Sequence, residues 1–527
     1  MKSNWIKYLF IVFVIILLAF AVYIIKKDEQ EKKQEQEYTA SVQENKVREI
    51  KVGIAELDTI NPILSNNKNV QQITKLIYEP LVDLSVDYKA TPCLAKEWAK
   101  QSDNSYLIKL KENVRWSNGQ SFTADDVQFT IDRLKDTPTI YSANVQDVTG
   151  VEIIDDFTIK IMLGREVPFF EYNLTFPILS KEYYQGEDFA TTSKNTATIG
   201  TGKFKIADAQ SSYIILEKNA NWWNKEKEVT LDKIIVNLYS SVGELYNSFK
   251  IGNLDAVATD NTNIQDYIGS MGYTPKEVKG RDYVFLALNN SNSLLQRQEI
   301  RKAISYSIDK ENITSNILNN KAFVANFPLD YGNWLYTEES SNGYNADQGK
   351  QVLVDAGWSY KNKMWQKTEN KKTEKIQLNL LVRASDQSKV AVAQNIKQQL
   401  ENQGIHINVV QAQDGQYNNM MNNKSFDIAL CSITLSPSPN LELFFGDNNL
   451  SNYYNEEVAN IMKEVKNTSD DNVLKEKYKR LAEIYKNDVP YISLCNNKYT
   501  VAYNSELVGD LTPNWFSMFY GVEGWYK

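Results

Sequence analysis

Histidine is almost missing from this chain, with 1 residue in 527, and cysteine is scarce, with 3. Direct metal coordination by His and Cys calls for several ligands at close spacing. One histidine and three scattered cysteines do not supply them. His406 falls in an alternating strand pattern and reads as structural. Cys93, Cys431 and Cys495 form no CxxC pair, so no disulfide framework is expected and they read as small buried hydrophobes. A basic excess is missing too: the net charge of −8 argues against nucleic-acid binding, which needs a positive face. No HExxH, GxSxG or P-loop pattern occurs. Residues 199–204 (IGTGKF) hold a Gly-x-Gly without the third glycine or the Lys-Ser/Thr ending of a phosphate cradle. A histidine–nucleophile pair has no advertised partners, so catalysis is not supported.

What is present is a globular composition, 42% hydrophobic and rich in Tyr (31) and Trp (10), in a chain long enough for two or three lobes. Residues 8–25 are an unbroken apolar run of spanning length. Ala19-Phe-Ala21 fits a signal-peptidase site loosely, but the run continues through residue 25, which favours an uncleaved anchor. Residues 26–46 are charged, Gln/Glu-rich and free of Gly and Pro, a solvated spacer.

Residues 76–134 organise the rest. Tyr106, Ile108 and Leu110 alternate with Leu107, Lys109 and Lys111, the period of a half-buried strand. VRWSNG (114–119) ends in Asn-Gly, a turn signal. Thr123 is the expected N-cap of a helix, with Asp125 and Asp126 complementing its dipole and Val127, Phe129, Ile131 and Leu134 on its apolar side. Residues 151–161 read as a hairpin about Asp155-Asp156. Helical and extended patterns alternate through both halves of the chain, giving an α/β class. An apolar strand is expected over 283–289 and another over 426–431.

YEPLVD (78–83), TPCLAKEW (91–98) and LKENVRWSNGQSFTADDVQFTIDRL (110–134) together resemble the signature of the extracellular solute-binding proteins of family 5, the peptide- and nickel-type receptors of ABC importers. RKAISYSID (301–309), IGTGKF and NANWW (219–223) follow in the family's order, so the resemblance covers roughly 48–500. It implies a periplasmic-binding-protein-like fold (type II, cluster C) of two closing lobes with an extra inserted domain. The expected division is an anchor or signal at 1–27, a linker at 28–46, lobe I from 47–82, 200–289 and 495–527, an inserted lobe II at 83–199, and lobe III at 290–494. It also implies an outward-facing receptor that captures a peptide or related small solute and passes it to ABC permease and ATPase subunits. No cysteine precedes Cys93, which closes the lipoprotein route, so the N-terminal helix takes the lipid's place at the cell membrane. The alternatives are a sensory receptor on the same fold and a binder of a chelated metal; no cofactor is expected.

Peptide-binding relatives hold the ligand's amine with an Asp in a Gly-Trp-x-x-Asp-x-x-x-Pro segment. Here that stretch is SITLSPSPN (432–440), with neither Trp nor acid. A buried ammonium without a counter-charge is costly, so a blocked, cyclic or modified peptide, a chelated metal or another solute gains weight. Ser432, Thr434 and Ser436 could offer neutral hydrogen bonds. Asp58, Asn61, Tyr239, Trp334, Arg383 and Trp515 complete the candidate ligand-binding set, each with packing or an ion pair as its rival role.

Overall fold

The computed structural model describes residues 24, 26–28, 30–33, 48–196, 198–259, 272–337 and 340–527. The expected membrane span at 8–25 lies outside these, apart from Ile24. Among the described residues no helix is long and apolar enough to cross a membrane.

One mixed sheet runs through most of the molecule. Its order is His406–Ala412, Gln377–Arg383, Ile428–Thr434, Tyr273–Leu288, Tyr491–Asn504, Ala256–Thr259, Glu49–Ala55, Lys233–Tyr239, Tyr213–Lys218 and Phe204–Ala209, with Ala322–Val324 pairing beside Tyr491–Asn504. Lobe I is the half built on Glu49–Ala55, which pairs in parallel with Lys233–Tyr239. Lobe III is the half built on Gln377–Arg383, parallel to both of its neighbours.

Two long antiparallel strands cross from one half to the other. Tyr273–Leu288 pairs with Tyr491–Asn504 over Tyr273–Lys279 in lobe I and again from Tyr283 in lobe III. Between Lys279 and Tyr283 the register slips. The expected strand at 283–289 is therefore only the apolar end of a 16-residue strand. Its other end, TPKEVKGRD, carries charge and a proline, which hid the extended pattern.

A separate four-stranded antiparallel sheet, Ala95–Lys100, Ser105–Leu110, Thr158–Leu163 and Val148–Asp155, forms lobe II. Its last two strands are the hairpin expected at Asp155-Asp156. The strand–turn–helix signature lies against this sheet. Gly119 adopts φ +92° in the Asn-Gly turn, and the helix Ala124–Asp136 starts at Thr123. Asp126 is more than a dipole complement. It is buried and accepts from the Thr123 amide (3.0 Å), the Lys181 amide (2.8 Å) and the Trp116 indole (3.2 Å), fastening turn, cap and neighbouring helix together. The IGTGKF glycines serve close approach rather than phosphate: a Cβ on Gly200 would stand 1.9 Å from the Ile77 carbonyl oxygen.

Lobes I and II share one apolar core, from Ile50 and Val236 to Trp116, Val127 and Ile161. Lobe III has a core on each face of its sheet, one around Phe285, Phe444 and Tyr485, the other around Leu286, Ile304 and Ile396. The three cysteines are free and buried.

Candidate ligand-binding cleft

Where the two long strands cross, the lobes leave a cavity of about 910 Å³ between them. Its lobe I wall begins with the helix Lys68–Ile77, whose apolar face (Val70, Ile73, Leu76, Ile77) is buried and whose Lys68 and Lys75 face the opening. The wall continues in the C-terminal segment with Trp515 and Phe516, and at the crossing with Arg281 and Asn497. Lobe III closes the far side with Ser436, Ser438 and Leu443. Lobe II contributes Ile140, Tyr141 and Arg165. Ile140, Val242 and Leu443, one from each lobe, line it while remaining 44–45% exposed, an apolar rim facing water.

The loop 436–440 is held by its own hydroxyls and by lobe III. The Ser438 amide donates to Ser436 Oγ (3.1 Å), the Asn440 amide to Ser438 Oγ (3.3 Å), and Tyr478 donates its hydroxyl to the Pro439 carbonyl.

Charge in the cleft is uneven. Glu79 accepts from both Trp222 Nε1 (2.9 Å) and Trp223 Nε1 (2.8 Å); burial pushes its pKa up, against those hydrogen bonds. Asp147 is gripped by Arg165 through two bonds of 2.8 Å. Asp83 accepts the amide of Leu84 next to it (2.8 Å) and is otherwise open. On the cationic side, Lys75 donates to the Phe516 carbonyl and lies 5.3 Å from that ring's centre. Arg281 stacks on the same ring at 4.8 Å and donates to the Leu435 carbonyl. Lys68 sits 5.1 Å over Trp515. Lys75 is exposed into the cleft and walled by protein beyond it, so burial brings its pKa down to about 8, with Asp83 opposing and Arg281 adding to the fall.

The sequence candidates are distributed as follows. Trp515 and Ser436 line the cavity. Thr434 gives its hydroxyl to Asp282 at the crossing (2.8 Å), and Ser432 is an exposed strand residue outside the cavity lining. Trp334 bridges lobes III and II, donating to Tyr172 Oη (3.2 Å) with Lys89 over its ring. Arg383 pairs with Asp414 (3.1 Å) and lies over Tyr417. Tyr239 shares a hydrogen bond with Ser248 (2.6 Å). Asp58 braces its own loop through Ser65 Oγ (2.7 Å) and the Asn66 amide (2.9 Å), and buried Asn61 bonds Asn195 (3.0 Å). None of these last four lines the cavity. Sequence reasoning missed Lys75, Arg281 and Phe516. Lys75 reads as the polar side of an amphipathic helix, and Arg281 as a charge inside a poorly patterned segment.

A lobed α/β body with a cleft at a two-strand crossing defines the class of periplasmic-type binding proteins. The chain belongs to the bacterial extracellular solute-binding proteins, family 5, whose model matches residues 89–452. Among its relatives, the oligopeptide-binding protein AppA of Bacillus subtilis is 24% identical over 479 residues, covering 86% of this chain and 87% of its own. The heme-binding protein A of Haemophilus influenzae is 24% identical over 508 residues, covering 87% and 88%. The unliganded open form of the murein tripeptide binding protein MppA of Escherichia coli superposes with a TM-score of 0.76 at 17% identity, over 91% of this chain and 98% of that one. AppA in complex with a nonapeptide gives 0.55 at 22%, with the same coverage.

Proposed function

We propose that this protein is the substrate-binding component of an ABC importer, capturing an oligopeptide or related solute by lobe closure and delivering it to a permease. The observation that carries the reading is the cleft itself, walled by all three lobes at the point where two strands connect the halves. Cavities of this size suit small ligands rather than protein surfaces, and a two-strand crossing suits hinge closure. Relatives named for oligopeptide and dipeptide binding support the solute class. In this reading the apolar run at 8–25 holds the receptor on the outer face of the membrane, with 26–46 as its spacer.

The test is mass spectrometry of what co-purifies with the full chain, followed by thermal unfolding with the recovered compound. A ligand that binds only the folded state raises the unfolding midpoint with concentration. Loss of that rise on blocking the cleft by Ser436→Trp is expected. A rise that survives the substitution places the ligand elsewhere and overturns the reading.

A further inference from the structure

Three cations stand along one wall of the cleft, and the cavity's carboxylates are mostly engaged elsewhere. Lys75 and Arg281 approach the same Phe516 ring, at 5.3 and 4.8 Å, with Lys68 on the adjacent Trp515. Like charges gathered at this range repel unless an anion lies between them. Glu79 is held by two indoles and Asp147 by Arg165. Asp83 acts on Lys75 only through space, and the two form no ion pair among the described residues.

Arg281 has a carboxylate behind it, Asp330, but the contact is poorly aligned. Nε and Oδ2 are 3.3 Å apart, and neither atom achieves a hydrogen bond although both are buried. Among the described residues Nη1 has no hydrogen-bond partner, Nη2 alone reaching Leu435. A guanidinium fork with spare N–H capacity, sharing an aromatic ring with an ammonium, matches a carboxylate. Across the cavity, the loop 436–440 presents hydroxyls and prolines and no acid for an ammonium.

We propose that the cleft selects a peptide by its free carboxylate, seated between Lys75 and Arg281, and is indifferent to whether the amine end is free. The amine end would lie toward the loop 436–440 and the apolar rim, where an acyl cap costs nothing. This rests on the solute-receptor reading and adds the ligand's charge polarity to it.

The experiment uses the full chain in detergent and pools of randomised tri- to hexapeptides prepared in four end states: free, N-acetylated, C-amidated, and capped at both ends. Binding is read by isothermal titration and thermal shift. The free and N-acetylated pools should bind within about threefold of each other, and amidation should weaken binding tenfold or more, the scale of a lost charge-assisted bond. Lys75→Gln should remove most of the difference between acid and amide pools. Its unfolding midpoint, checked separately, should stay near that of the parent, since the side chain faces the cleft. Pools that bind whatever the state of the carboxylate overturn the inference and leave the receptor reading standing. So does binding that requires a free amine. No binding by any pool overturns both the inference and the peptide reading.

Discussion

At the scale of single residues, the buried acids give the protein a defined response to pH. Asp330 is pushed up to about 7 by burial, against the pull of Arg281 and with Tyr88 also nearby. Glu171 is pushed up to about 7 by burial as well, with Lys100 and its own backbone opposing. In the unfolded chain both titrate near the usual carboxylate value of about 4. Between about 4 and 7 the folded state therefore holds protons that the unfolded state has released. Folding stability falls as pH rises through that window and levels off above it. The unfolding midpoint of the parent should drop between pH 5 and pH 7.5, and Asp330→Asn with Glu171→Gln should flatten most of that slope. A midpoint that climbs over the same interval contradicts the assignment. Lys310, pushed down to about 8 by burial, acts in the opposite sense and only at higher pH.

Among the elements, the crossing of the two long strands is where a small change has the largest consequence. Gly280 sits in the register slip, and a Cβ there would meet Asn497 Oδ1 at 1.9 Å and the Asn497 carbonyl oxygen at 2.6 Å. The side chain of Asn497 could swing away, but the carbonyl belongs to the partner strand. Asn497 also accepts from the Asp282 amide (3.0 Å) and donates to its carboxylate (3.0 Å), and Asp282 takes the Thr434 hydroxyl. Gly280→Ala should cost about 1–3 kcal/mol by overpacking, read as a lower denaturant midpoint at unchanged slope. A shift below about 0.5 kcal/mol, the size of an ordinary surface change, would mean the strands part there freely. This crossing also marks the limit of what was legible beforehand. The strand–turn–helix at 106–134 announced itself because every signal in it is local. Asp126 looked like a helix-start acid because its third donor, the Lys181 amide, arrives from 55 residues downstream. The cleft was harder still. Trp515 and Ser436 could be guessed from residue type and family position. Lys75, Arg281 and Phe516 become neighbours only when a helix, a strand and the C-terminal segment meet, and no periodicity in any one of them records that meeting.

For the molecule as a whole, the arrangement of cores sets how it can move. Lobes I and II are welded by a continuous apolar cluster, while lobe III carries two further cores, one of them also taking Phe169 of lobe II. The backbone ladder between the halves is interrupted from Lys279 to Tyr283, so bending there breaks few hydrogen bonds. Lobe III also touches lobe II, through Lys89 with Asp471, Trp334 with Tyr172, the Trp334 amide donating to the Asp87 carbonyl (2.9 Å) and Lys100 donating to the Lys466 carbonyl (3.5 Å). Closure is then a rigid rotation of lobe III over the cleft, with a ligand favouring the closed state by its extra contacts there. The radius of gyration from small-angle scattering should fall when the co-purified ligand is restored to stripped protein. Amide exchange should slow at the cleft-facing helix Lys68–Ile77 and the loop 436–440, and stay unchanged in the lobe II sheet. A radius that does not move while binding is saturated would show a cleft already closed, and the slip at Gly280 would then be a packing device rather than a hinge.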